Sequence, residues 1–367
     1  MTDDNDRLRQ RRRFLLTAGG AGMTAAVTRT LAQPADGRAA PANWDMTVDV
    51  IVIGSGFAGY AAAASAAEAG ADVAVLEKMP AAGGNSAINL GDYAAWDSSL
   101  HLRQKFKLGD DSAALHARDM LDAGDGYNDP ALVNALVNGA PAALDWMIER
   151  GGLKLRDVIH RQGLLNYRMH YGPSGRGIDY IEALRRIADA HHARFYFEHA
   201  VSRLWRRDAD SPVGGVEVKT PQGTQQWRAR CAVIIAAGGF GADIAMRAAF
   251  RPILTAAYNT TNHRGATGEM IRLAQAVGAD VLQLEFIEVH PYGDPASGAL
   301  DTATSYALQI RRSGAMLVGK HGKRFVNELA PHDHVSRMEM ATGERPTDRK
   351  STRLNSSHGY ISYAVFC

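Results

Sequence analysis

Cysteine is nearly absent: 367 residues hold two, Cys231 and Cys367. That excludes a disulfide framework, a four-cysteine iron–sulfur cluster and a Cys-rich zinc site. There is no Cys-x-x-Cys-His, so no c-type haem is attached. A dominant charge sign is missing too, with 41 Lys and Arg against 39 Asp and Glu and a formal charge of +2. What is present, 46% hydrophobic and 22% charged residues, suits one large or two ordinary domains. It excludes a disordered or collagen-like chain. The 37 glycines exceed the usual ~7% and direct attention to backbone-cradling loops.

Both ends read as something other than fold. Arg11-Arg12-Arg13-Phe14-Leu15-Leu16 precedes a weakly apolar stretch, Thr17 to Val27, and a small-residue exit at Thr30-Leu31-Ala32. The stretch is too short to span a membrane and has the layout of a secretory signal. The twin arginines followed by x-Phe-Leu resemble the twin-arginine export signal, implying the twin-arginine translocase as a partner and a periplasmic destination. Residues 1–32 are assigned to this signal and 33–46 to an Ala/Pro/Gly-rich linker. At the other end, Asp348 to His358 back-translates to a constant arm of a short-read sequencing adapter. Two variable codons, Gly359 and Tyr360, are followed by Ile361 to Cys367, which gives the adapter's next constant arm. Residues 348–367 are therefore expected to be an adapter-derived artefact, with the natural chain continuing past about residue 347. The signal carries a surplus of three positive charges and the tail a surplus of two, which leaves the rest at −3. Nucleic acid is not an expected partner.

The chemistry starts at Val48 to Ile53, an apolar β-branched run that reads as a buried parallel strand. Gly54-Ser55-Gly56-Phe57-Ala58-Gly59 follows, then an Ala-rich helix to Ala69 with Gly70 as its stop. A second strand, Asp72 to Leu76, ends in Glu77. Gly54 makes the tight turn, Gly56 admits a pyrophosphate and Gly59 lets helix meet strand. The helix N-terminus offers N–H groups to phosphate, and Glu77 is placed to accept both ribose hydroxyls.

Further segments carry a resemblance. Glu77-Lys78, then Gly83-Gly84-Asn85-Ser86, resembles the Glu-Lys-x-x-x-x-Gly-Gly-Asn-Ser stretch of the fumarate reductase/succinate dehydrogenase flavoprotein superfamily. Ala232 to Phe240, with Ala237-Gly238-Gly239, is similar to its late strand and Ala-Thr-Gly-Gly-Phe turn, Ala237 standing for Thr. Gly265-Ala-Thr-Gly-Glu269-Met270 matches its Gly-Asp-Gly turn imperfectly. The segments Asn128 to Leu132, Leu144 to Met147 and Gly322 to Glu328 also read as family segments. The resemblance covers about residues 47–345 and is greatest to soluble, flavocytochrome c-type fumarate reductases. It implies an α/β fold, a Rossmann-like FAD-binding domain of the glutathione reductase type with an inserted α+β capping domain, C-terminally truncated. The FAD part is set at 47–284 and the start of the capping, substrate-binding domain at 285–347. The cofactor implied is FAD, held noncovalently because no covalent-type histidine precedes Gly83. Ala58, Gly91 and Val201 join the implied cofactor contacts, as does Glu269.

The family reduces a C=C bond beside a carboxylate, with hydride from flavin N5 and a proton from a positioned acid. Glu288-Val289-His290-Pro291 matches its x-x-His-Pro, which makes His290 a candidate carboxylate ligand. Arg311 falls where a proton-relay arginine belongs. Two departures stand out. Ala307-Leu308 replaces the family's Thr-Glu, and His332 stands at the position of its acid arginine. His332 is then the candidate acid, an imidazolium being competent near neutral pH. Against this stands a surface-loop placement of His332 and His334; a metal site from these with His290 lacks supporting carboxylates. His170 is either near the flavin or simply packed. Cys231, at the start of a buried strand, is read as inert core.

The expectation is an exported FAD oxidoreductase acting on the CH–CH or C=C bond of an organic acid or enone, not fumarate itself. It needs an external electron donor or acceptor. A 3-ketosteroid dehydrogenase-like enzyme is the second reading, though the tyrosine-rich signature is missing. A non-catalytic flavin-binding electron-transfer protein is the third. The truncated chain as written is expected to be inactive.

Overall fold

The computed structural model describes residues 40–161, 166–208, 210–291, 298, 315–319, 321–342 and 365–366. Strand β1 (Met46–Ile53) lies at the centre, parallel to β2 (Val73–Glu77) on one side and to β9 (Gly223–Ile235) on the other. It starts two residues earlier than the apolar run predicts, because Met46 pairs with Trp227. Helix α1 (Phe57–Glu68) makes the crossover to β2. Its alanines let it lie close on the sheet, with Ala63 and Ala64 fully buried.

The six-stranded sheet has the order β6-β2-β1-β9-β8-β7. Strand β6 (Arg194–Phe197) adds in parallel to β2, whereas β7 (Ala200–Arg206), β8 (Val213–Thr220) and the first half of β9 form an antiparallel meander. Both faces are covered. Val50 and Val52 face α1 and helix α6 (Ile178–Ala190), while Val48, Ile51 and Ile53 face Val216, Trp227 and Met270. The break in alternation after Val48 coincides with a register shift between Val48 and Val50.

Strand β9 serves two neighbours in turn. Residues 223–228 pair with β8; of the rest, Ala229 and Ala232 to Ile235 pair with β1, and Arg230 and Cys231 fall in the irregularity opposite Asp49. Cys231 is exposed, which corrects its reading as core: it lies in this irregularity, where the strand's regular alternation of faces is broken.

Residues 84–171 leave the main sheet. They form α2 (Gly84–Ile88), α3 (Leu102–Lys105), α4 (Ala113–Ala123), α5 (Pro130–Glu149) and a small sheet of β3 (Tyr93–Ala94), β5 (Tyr167–His170) and β4 (His160–Arg161). Asp129 caps α5 by accepting from Ala131 N–H at 2.7 Å, with Pro130 at the first turn where its missing N–H costs nothing. This excursion is tied down by charge. Arg168 on β5 reaches both oxygens of Asp111 (2.7 and 2.8 Å) and one of Asp119 (2.8 Å); the Arg168 and Asp111 side chains are out of water and Asp119 is partly exposed.

The segment set at 285–347 begins in an irregular stretch after α7 (Ile244–Phe250) and α8 (Glu269–Ala276). It contributes β10 (Val289–His290) and α9 (His332–Ala341), packed on each other. Val289 and His290 also pair with 365–366, inside the stretch read as adapter-derived.

Candidate functional site

A cleft of about 790 Å³ opens at the C-terminal ends of β1, β2 and β9, where parallel sheets place their ligands. Its floor is the turn from β1 into α1. Gly54 sits at φ +101°, and a Cβ there would come within 2.5 Å of the Ala236 carbonyl oxygen. A Cβ on Gly59 would fall 1.9 Å from the Gly54 oxygen, so only glycine permits this crossing of helix and strand. Gly56 starts α1 with no side-chain cap, leaving the positive end of a three-turn helix beside the cleft. The Phe57 N–H is met by Ser86 Oγ at 3.0 Å.

Glu77 does more inside the protein than the spacing predicts. Its Oε2 accepts from Ser55 N–H (3.0 Å) and Ser55 Oγ (2.6 Å), and its Oε1 from Met79 N–H (2.9 Å). Three of about four acceptor positions are thus occupied, which leaves room for one ribose hydroxyl rather than two. The carboxylate is first of all a clamp on the glycine loop.

The opposite wall is drawn across by side chains. Lys78 Nζ reaches Thr267 Oγ1 at 2.6 Å and Glu269 Oε2 at 2.8 Å. Burial alone would raise the Glu269 carboxyl, but Lys78 and Thr267 hold it below the ordinary value. Asn85 binds Asn262 Oδ1 and the His263 N–H, both at 2.5 Å. Glu269 is therefore engaged with Lys78, which accounts for a glutamate where the family has aspartate.

Of the residues read from sequence, Gly54, Gly56 and Ala58 line the cleft, as do Glu77 and Lys78. So do Gly83, Gly84, Asn85 and Ser86, and farther along the chain Val201, Ala237, Gly238 and Glu269. Gly59, Gly91 and Gly239 stand off its wall. Gly59 serves helix–strand packing, as its position in the motif implies. Gly91 is demanded by φ +71° and by the Arg176 backbone 2.8 Å from where its Cβ would be. Gly239 has open space around it. Sequence reasoning missed His199, Lys219, His263 and Arg272, which also face the cleft. His199 and Lys219 come from the antiparallel meander, where no spacing rule marks them.

A second cluster lies at β10 and α9. His290 is buried, and its ring meets that of His332 edge to face, centroids 5.0 Å apart at 82°. His332 opens α9 and is half-buried, so it does not belong to a surface loop; His334 does face solvent. The strand carrying His290 is held from both sides. Arg251 donates to the Ile287 carbonyl at 3.0 Å and Ser336 Oγ to the Val289 carbonyl at 2.7 Å. Arg311 lies outside the described residues. His170 is a packed histidine: burial lowers its pKa, and its Nδ1 bonds the Arg168 carbonyl at 2.9 Å.

Glu339, two turns along α9 from His332, is buried with neither oxygen hydrogen-bonded among the described residues. Burial pushes its carboxyl well above the ordinary value. A raised carboxyl is neutral in the fold, so its contribution to stability is full below the unfolded pKa and lost as pH rises through the folded one. Glu339→Gln should therefore stabilise by about 1–3 kcal/mol at pH 8 and change little at pH 4.5. Thermal midpoints at the two pH values check this; an equal shift at both would refute it.

The comparisons with known proteins follow the same lines. Residues 49–364 match the family described as FAD binding domain. Urocanate reductase of Eggerthella lenta is 33% identical over 302 residues, covering 81% of this chain and 48% of that protein. The acrylate reductase flavoprotein subunit of Shewanella woodyi is 34% identical over 328 residues, covering 84% and 63%. A solved flavocytochrome c3 fumarate reductase in its open conformation superposes with a TM-score of 0.71 at 28% identity, covering 82% of this chain and 51% of that one. The chain spans about half the length of the first of these relatives. The glycine cradle, the uncapped helix end and the cleft volume fit a dinucleotide. The chain belongs to the FAD binding domain family, within the fumarate reductase/succinate dehydrogenase flavoprotein superfamily, and its cofactor is FAD.

Proposed function

We propose that this protein is an exported oxidoreductase that reduces, or forms, the C=C bond of an organic acid or enone other than fumarate. The observation that carries the reading is the contact between His290 and His332, two residues 42 positions apart that the fold brings ring to ring. Bound FAD supplies hydride chemistry at its flavin ring. The cleft residues hold it: the turn at Gly54 and Gly56 with the start of α1 takes the pyrophosphate, and Glu77 one ribose hydroxyl. His290 binds the carboxylate or carbonyl of the acceptor, withdrawing charge from the double bond. His332, as imidazolium, gives up a proton to the adjacent carbon. Where the family has Thr-Glu this sequence has Ala307-Leu308, a less polar pair, which favours a longer or less charged acceptor. That relatives are named for urocanate and acrylate is consistent with this range. The test is oxidation of a reduced dye with fumarate, urocanate, a cinnamate-type acid and an enone as acceptors. Preference for fumarate over all three would overturn the reading.

The flavin is held without a covalent bond. Protein made without residues 1–32 should purify yellow and release all its flavin on acid precipitation; flavin retained on the precipitate would refute this. Export follows Arg11 and Arg12. Exchanging both for Lys should leave folded protein in the cytoplasm, and unimpaired periplasmic accumulation would point to another route.

A further inference from the structure

The contact between the two histidines needs something to hold it, because they lie on separate elements: His290 ends a two-residue strand and His332 begins a helix. One buried side chain spans both. Ser336 is inaccessible to solvent, and its Oγ lies 2.7 Å from the Val289 carbonyl and 2.9 Å from the His332 carbonyl. A hydroxyl has a single proton, so the two oxygens share it in a three-centre bond. The contact to His332 is the i to i−4 back-bond that serine makes within a helix, and such bonds bend the first turn slightly. The contact to Val289 ties that turn to the residue preceding His290. Val289 also packs against Leu254 and Ile287, in a cluster that Met340 of α9 joins, and Arg251 fixes the Ile287 carbonyl. The strand is thus anchored, and Ser336 adds a hydrogen bond to the apolar packing that joins it to α9.

We propose that Ser336 is a positioning residue that sets the separation of His290 and His332. The proposal rests on the reading of these histidines as the acceptor-binding and proton-donating pair, and it extends that reading to a residue that touches no substrate. Truncation to alanine removes the shared proton and leaves the Val289 carbonyl without this donor, so the first turn of α9 is held to β10 by packing alone, with Met340 at its other end. A displacement near 1 Å between groups that must flank one double bond is costly to turnover and much less so to binding.

The experiment uses the full-length protein loaded with FAD. Ser336→Ala, Ser336→Thr and His332→Ala are compared with wild type in kcat and KM for the acceptor preferred by wild type. The imidazole C2–H resonances of His290 and His332 are followed by NMR. Ser336→Ala is expected to lower kcat about tenfold or more, with KM within about twofold. Both resonances should move together. Ser336→Thr, which keeps the hydroxyl, should recover most of the turnover and the wild-type resonances. Unmoved resonances in Ser336→Ala overturn the proposal whatever the rates. A His332→Ala protein with full turnover overturns instead the reading of the site, and the resonances distinguish the two failures. If Ser336→Ala does not fold, Ser336→Cys, a far weaker donor of similar size, takes its place with the same criteria.

Discussion

Replacing His332 with alanine is expected to lower turnover of the FAD-loaded, full-length protein by about 10²–10⁴-fold, the usual effect of losing a general acid. By the resemblance, the superfamily's arginine at this position is recharged by a carboxylate, and in sequence Leu308 replaces that residue. An arginine acid without its relay is stranded, whereas an imidazole exchanges its proton with water unaided. The active form is the imidazolium, so wild-type activity should fall on the alkaline side, and the residual activity of His332→Ala should not follow that limb. Restoring arginine alone, His332→Arg, should not restore activity, because Leu308 still withholds the relay. Steady-state rates across pH for wild type and both variants check this. A His332→Ala enzyme within twofold of wild type would remove the acid from its assigned place.

The second large effect is on stability. Arg168→Met should destabilise the fold by about 3–5 kcal/mol, because the buried Asp111 loses its bidentate partner and keeps only Arg103, 3.7 Å away. Asp111 is fully buried beneath the guanidinium, and Asp119 takes a further N–H of the same group. Burial by itself would raise the Asp111 carboxyl; the bidentate bond from Arg168 and the Ser112 N–H hold it below the ordinary value. A depressed carboxyl gives stability that is present above its unfolded pKa and lost as pH falls through the folded one. Wild type should therefore lose this contribution in acid, below about pH 4. Arg168→Met should show most of its deficit at neutral pH. The double variant Arg168→Met with Asp111→Asn should recover part of it, since the buried Asp111 charge that lost its bidentate partner is gone. Denaturant midpoints for the three proteins decide the matter, and a single variant as stable as wild type would show the pair to be dispensable.

How much of this was legible beforehand differs between the two sites. The strand, turn, helix and acid from Val48 to Glu77 were readable because the constraints are local. A φ of +101° at Gly54 and a 1.9 Å approach at Gly59 admit no other residue, and both fall within one βαβ unit. His290 and His332 were reached only through resemblance, since neither residue's neighbours in sequence announce a role.

Long-range contact decided the rest. Glu77 was read as a ribose ligand, but the glycine loop folds back so that Ser55 and Met79 claim most of its lone pairs. Glu269 looked like a poor substitute for aspartate until the fold set Lys78, 191 positions away, against it. Cys231 had the sequence surroundings of a core residue, yet it lies in the irregularity opposite Asp49, where the strand's regular alternation of faces is broken. The ring contact of His290 with His332 and the hydroxyl of Ser336 between their backbones depend on how a short strand docks on a helix. Sequence determined the phosphate-binding turn because backbone sterics act between neighbours. Tertiary structure determined which side chains face one another, because that depends on packing between segments the chain brings together only when folded.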